Sequence, residues 1–179
     1  MGERKYYEAY EDRYRDVHRQ GVKYWADLPW EVLEDLAELD SFLAFVGANP
    51  GVHWVLEPGC GEGNLALALV HKGFDYLGID LAPSALERAR ARFAEAGFSA
   101  EGKFVLHDAT DLAFLPEAGF DFAVDNKLLH MLVVDSDRRS YLSASAHDRF
   151  HYPTVAALID VLLPGRVFMR VVNPVMGAS

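Results

Sequence analysis

The stretch Val55-Leu56-Glu57-Pro58-Gly59-Cys60-Gly61-Glu62-Gly63 constrains this chain more than any other. An apolar run ends in an acid, three glycines follow at alternate positions, and Asn64-Leu65-Ala66-Leu67-Ala68-Leu69-Val70 reads as the start of a helix. Strand, glycine loop and helix in that order let a ligand approach bare backbone in α/β proteins. A dinucleotide loop wants glycine at its first, third and sixth positions, and here the sixth is Asn64. The missing glycine disfavours a nicotinamide or flavin cofactor, because it normally permits close helix–strand packing.

From His53 onward the chain alternates in period. His53–Glu57, Asp75–Asp80, Lys103–His107, Phe120–Asp125 and Gly165–Val172 read as strands. Helices are expected over Gly63–His71, Pro83–Ala96, 137–146 and 154–163, with a short one near 111–115. Pro83 opens its helix and Gly97 closes it. Strands separated by helices imply a parallel sheet with right-handed crossovers.

Residues 1–50 differ in character. Tyr7, Tyr10 and Tyr14 follow helical spacing, with Val17 and His18 one turn on, and Gly21 ends that helix. A second helix starts at Pro29-Trp30 and runs to the break at Asn49-Pro50-Gly51. The division expected is a helical segment over 1–50 and an α/β core over 51–179, together one domain.

A net charge of −10 argues against a nucleic-acid or anionic-membrane partner, since both need a positive surface. Arg88, Arg90 and Arg92 are read as a solvated helix face. The single cysteine, Cys60, fits a reducing cytoplasm, and no apolar run approaches the ~20 residues that span a bilayer. His147 and His151 lie four apart without an acid in ligand position, so no metal is expected.

The segment Glu57-Pro58-Gly59-Cys60-Gly61-Glu62-Gly63 resembles motif I of the class I S-adenosylmethionine-dependent methyltransferases, acid-x-Gly-x-Gly-x-Gly. Three further segments agree in order: Gly78-Ile79-Asp80-Leu81, Leu106-His107-Asp108-Ala109, and Asp125-Asn126-Lys127-Leu128-Leu129-His130. Leu163-Pro164-Gly165-Arg166 matches the family's segment before strand five only in part. The resemblance covers about residues 52–172. It implies a Rossmann-like, doubly wound, mostly parallel sheet in the order 3-2-1-4-5, with an N-terminal helical lid.

The resemblance also implies a set of roles. S-adenosylmethionine would be held by Glu57, Gly59, Cys60 and Gly61 at its amino-acid tail. Asp80 would hold the ribose diol, with Leu81 against adenine. Asp108 and Ala109 would meet the edge of the adenine, and Asp125 and Asn126 would lie beside the methyl. Arg13 would pair with the ligand carboxylate and Trp30 would face the sulfonium. Asp125 and His130 are the candidate proton acceptors, and the acceptor substrate would be a small molecule. Use of the cofactor's aminocarboxypropyl arm, or a non-catalytic binding subunit, are the alternatives. The family's last two strands have no counterpart before Ser179, which leaves strand five as an edge. The expectation is cover by a second copy of the chain, as a homodimer through that edge or swapped segments, cover by the N-terminal helices, or a truncated or unusually short member of the family.

Overall fold

A computed structural model describes residues 5–22, 53–116, 119–126, 128–146, 154–156 and 172–174. A 3-10 turn at Tyr6–Glu8 leads into α1 (Ala9–Arg19), which ends at Gly21 with φ 74°. The core follows as β1 (Trp54–Pro58), α2 (Asn64–His71), β2 (Asp75–Asp80), α3 (Pro83–Glu95), β3 (Phe104–Leu106) and β4 (Phe122–Ala123). A 3-10 turn at Leu129–Met131 precedes α4 (Asp135–Ala146), and β5 (Thr154–Ala156) pairs with β6 (Val172–Pro174).

The four core strands form one parallel sheet in the order β3-β2-β1-β4. β1 is central, and four of its five residues are buried, as expected of a parallel strand covered on both faces. Successive side chains leave a strand on opposite faces. Val55 and Tyr76 accordingly join α2 and α3 in one apolar cluster with Leu65, Leu67, Leu69, Leu86 and Phe93. Leu56 and Ile79 join Leu112, Leu115, Phe120 and Ala123 in a second cluster on the other face. Each buried leucine contributes about 1.5–3 kcal/mol. The strands' carboxyl ends therefore emerge from a core fixed on both sides.

The order 3-2-1-4 and the Rossmann-like α/β architecture agree with the sequence reading. Several local expectations do not. The helix expected over 154–163 begins instead as β5, where Thr154 and Val155 are β-branched and favour extended backbone. The strand expected over Gly165–Val172 lies outside the described residues except for Val172, which opens the antiparallel β6. Residues 111–115 form turns, held by Asp111 N–H to Asp108 O (3.0 Å) and Leu115 N–H to Leu112 O (3.0 Å). Arg92 is buried, not solvated: it donates to the Glu62 carbonyl (3.2 Å) and lies 3.6 Å from its carboxylate. The helix expected from Pro29, with Trp30, and both His147 and His151 lie outside the described residues. No helix among the described residues is long and apolar enough to cross a membrane.

Candidate functional site

The chain must reverse sharply between β1 and α2, and glycine supplies the backbone. Gly59, Gly61 and Gly63 adopt φ of 73°, 52° and 73°, a region that side chains disfavour. The loop is pinned to β2, because Gly59 N–H and Cys60 N–H both donate to Ile79 O (2.7 and 3.0 Å). Space is restricted too: a Cβ on Gly59 would lie 2.8 Å from Leu128 Cβ, and one on Gly61 2.7 Å from the Tyr14 hydroxyl.

Asp80 ends β2 beside this loop. Its carboxylate accepts from Gly61 N–H (2.8 Å) and Ala82 N–H (2.9 Å). Burial pushes its titration upward, and the amides of Ala82, Gly61 and Leu81 work in the opposite direction. An ionised carboxylate has about four acceptor positions, so Asp80 keeps capacity for a ligand diol.

A cleft opens here. Gly59, Asp80, Leu81, Asp108 and Ala109 line it, together with His107, Thr110, Tyr7, Tyr10, Leu128, Met131 and Leu132. Five of the sequence-expected cofactor residues thus meet at the carboxyl ends of β1, β2 and β3. That is where open α/β sheets bind ligands.

Other expected residues have different surroundings. Glu57 lies wholly behind the loop, where it accepts a hydrogen bond from the Tyr76 hydroxyl and one from Asn126. Burial pushes its carboxyl up to about 8, against the two hydrogen bonds and with the help of Asp125 and Asp80. The Cys60 thiol points into the core, 2.7 Å from where a Cβ on Gly78 would stand, and burial raises its titration well above normal. Only its backbone belongs to the loop. Asn126 Oδ1 is buried without a hydrogen-bond partner, beside Glu57.

Asp125 is buried and faces its own chain. It accepts from Leu128 N–H (3.0 Å), Leu129 N–H (3.0 Å) and the Tyr141 hydroxyl (2.8 Å). Those bonds cap the turn that carries Leu128, Met131 and Leu132 into the cleft wall. His130 has its backbone in the same turn, and its side chain lies outside the described residues. Arg13 is exposed on α1, its guanidinium 5.3 Å from the Tyr10 ring centre, and does not line the cleft.

The amino-terminal segment supplies contacts that the sequence reading did not assign. Asp108 accepts Lys5 Nζ (2.9 Å) and the Tyr7 hydroxyl (2.9 Å) on one oxygen, and Thr110 N–H (2.8 Å) and Oγ1 (2.7 Å) on the other. Desolvation would raise its titration, but Lys5, Thr110 and Tyr7 together outweigh that and hold it down at about 2. Glu11 accepts from Ser84 N–H (3.0 Å) and Oγ (2.8 Å), placing an anion at the positive end of α3. His18 Nε2 lies 2.6 Å from Glu62 Oε1, in the glycine loop. Tyr6 accepts from Val133 N–H (2.8 Å), and Tyr10 donates to Met131 Sδ (3.5 Å). The helical spacing of Tyr7, Tyr10, Tyr14 and His18 was the one signal of this; Lys5 and Glu11 carried none.

The family model described as a methyltransferase domain matches residues 55–147. An uncharacterized methyltransferase of Mycobacterium tuberculosis is 35% identical over 118 residues, covering 65% of this chain and 53% of its own length. The 2-heptyl-1-hydroxyquinolin-4(1H)-one methyltransferase of Mycobacteroides abscessus is 32% identical over 83 residues, covering 45% and 35%. The chain spans about half the length, or less, of these curated relatives. A solved structure described for the conversion of a disulfide bond into a thioacetal group during echinomycin biosynthesis is 33% identical with TM-score 0.52, covering 63% of this chain and 46% of that one. An S-adenosylmethionine-dependent methyltransferase from Clostridium acetobutylicum shares the fold, with TM-score 0.56 and 20% identity, covering 83% and 55%.

Proposed function

This chain belongs to the family of methyltransferase domains, and from that premise we propose that it binds S-adenosylmethionine and transfers its methyl group to a small-molecule acceptor. The observation that carries the reading is the cleft itself: a glycine loop, the Asp80 carboxylate and Asp108 converge on one opening at the strands' carboxyl ends. The residues fit the cofactor. Gly59 lines the cleft with bare backbone, Asp80 retains acceptor positions for a diol, and Leu81 and Ala109 offer apolar surface to a purine.

When bound, the cofactor supplies an electrophilic methyl on a sulfonium that is already a good leaving group. The chain's own work is then alignment and exclusion of water. Asp80 orients the ribose and Asp108 reads the edge of the base. Asp125 is a positioning residue: by capping the turn at Leu129–Met131 it fixes the apolar wall of Leu128, Met131 and Leu132. Tyr7 and Tyr10 cover the cleft from the amino-terminal side. We assign residues 1–50 the role of a lid. A proton acceptor is required only where the attacking atom carries a proton at working pH, and His130 is the candidate.

The apolar lining supports a small organic acceptor, as does the similarity to a methyltransferase named for a heptyl-hydroxyquinolone. Incubation with candidate acceptors and product analysis tests the reading. Adenosylhomocysteine formed in step with a methylated acceptor is expected. Methylthioadenosine instead would redirect it to transfer of the aminocarboxypropyl arm.

A further inference from the structure

The carboxylate at the expected base-recognition position is already fully subscribed. Asp108 has two oxygens with about four acceptor positions, and four donors fill them: Thr110 N–H and Oγ1 on one oxygen, Lys5 Nζ and the Tyr7 hydroxyl on the other. The Thr110 pair is local and belongs to the turn after β3. The other pair arrives from more than a hundred residues away in sequence, on a segment that covers the cleft. Both Tyr7 and Asp108 line that cleft. An exocyclic amine approaching Asp108 would be a fifth donor, and it has room only if one of the distant pair leaves.

We propose that the amino-terminal segment is a competing internal ligand: Lys5 and Tyr7 hold Asp108 in the free chain, and the cofactor's adenine amino group displaces one or both of them. This rests on the adenosyl-cofactor reading above. The segment's remaining anchors stay clear of Asp108: Tyr6 at Val133, Glu11 at Ser84 and His18 at Glu62. Exchange at Asp108 therefore swings the Lys5 and Tyr7 side chains aside without undocking the segment. The contact lowers cofactor affinity and couples the placement of these two side chains to occupancy. Lys5 is half-exposed, so its part of the contact weakens as salt screens it.

Calorimetric titration of the full chain with S-adenosylhomocysteine tests the proposal. The Lys5→Ala/Tyr7→Phe double variant is expected to bind about tenfold more tightly than wild type, because the ligand no longer competes with either donor for a charged acceptor. Lys5→Ala alone changes an exposed side chain that the fold does not need, and should bind a few-fold more tightly. A higher salt concentration should tighten binding to wild type but not to Lys5→Ala. In wild type, saturating ligand should speed tryptic cleavage after Lys5. Unchanged or weaker binding by both variants overturns the competition while leaving the cofactor assignment standing. No binding by any form, wild type included, overturns both.

Discussion

The α/β core and the amino-terminal segment are held by different physics. The core is two apolar clusters on either face of a parallel sheet, built from leucines, alanines and aromatics that are almost wholly buried. The segment over 5–19 has no buried residue in α1 itself; it packs Tyr7 and Tyr10 on a small apolar cluster with Ala109, Leu132 and Tyr141, and adds polar tips, with Lys5, Tyr6, Tyr7, Glu11 and His18 each hydrogen-bonded to the core. Burial area makes the core robust. The segment buries far less and leans more on hydrogen bonds near charged groups, several of which end at the rim of the cleft.

If that contrast holds, the largest stability effects belong to the core. Leu69→Ala removes a fully buried side chain between α2 and the sheet and should lower unfolding free energy by about 2–5 kcal/mol in a urea titration. A loss below 1 kcal/mol would break the distinction between the two regions.

Next comes the buried carboxyl under the loop. Glu57 titrates at about 8 in the fold against 4.5 normally, so the folded chain keeps a proton that the unfolded chain gives up. The stabilisation is complete below about 4.5 and is lost as pH rises to and through about 8. The slope is about 1.4 kcal/mol per pH unit. Glu57→Gln removes the titration, so its melting temperature relative to wild type should climb between pH 5 and pH 8.5. Parallel profiles would contradict the assignment.

The smallest effects belong to the segment. Glu11→Ala loses two hydrogen bonds at the start of α3, and His18→Ala loses one at Glu62. Each should lower stability by about 0.5–1.5 kcal/mol in the same urea titration. A cooperative loss as large as that of Leu69→Ala would make the segment part of the core.

The same contrast explains what the sequence made legible. β2 is found at Asp75–Asp80 and α3 starts at Pro83 as expected, because glycine and proline punctuate a strong apolar period. Gly59, Asp80, Leu81, Asp108 and Ala109 line one cleft because they stand at or just after strand ends, and the sheet brings strand ends together. An acid before a turn serves equally as a proton acceptor or a cap in sequence, and the capping bonds from Leu128 and Leu129 N–H to Asp125 are visible only in the backbone path. Charge alone puts Arg92 on a solvated face, because it does not reveal Glu62, thirty residues away, as its partner. The Lys5–Asp108 contact is longer still, and no local pattern encodes it.

The central claim is that the cleft beside Asp80 takes an adenosyl cofactor, and thermal unfolding with and without S-adenosylhomocysteine tests it most directly. Ligand at about a hundred times its dissociation constant should add about 2.7 kcal/mol, a shift of several degrees for a chain of this size, and Asp80→Ala should lose most of that shift. No shift of wild type with either S-adenosylhomocysteine or S-adenosylmethionine would contradict the account.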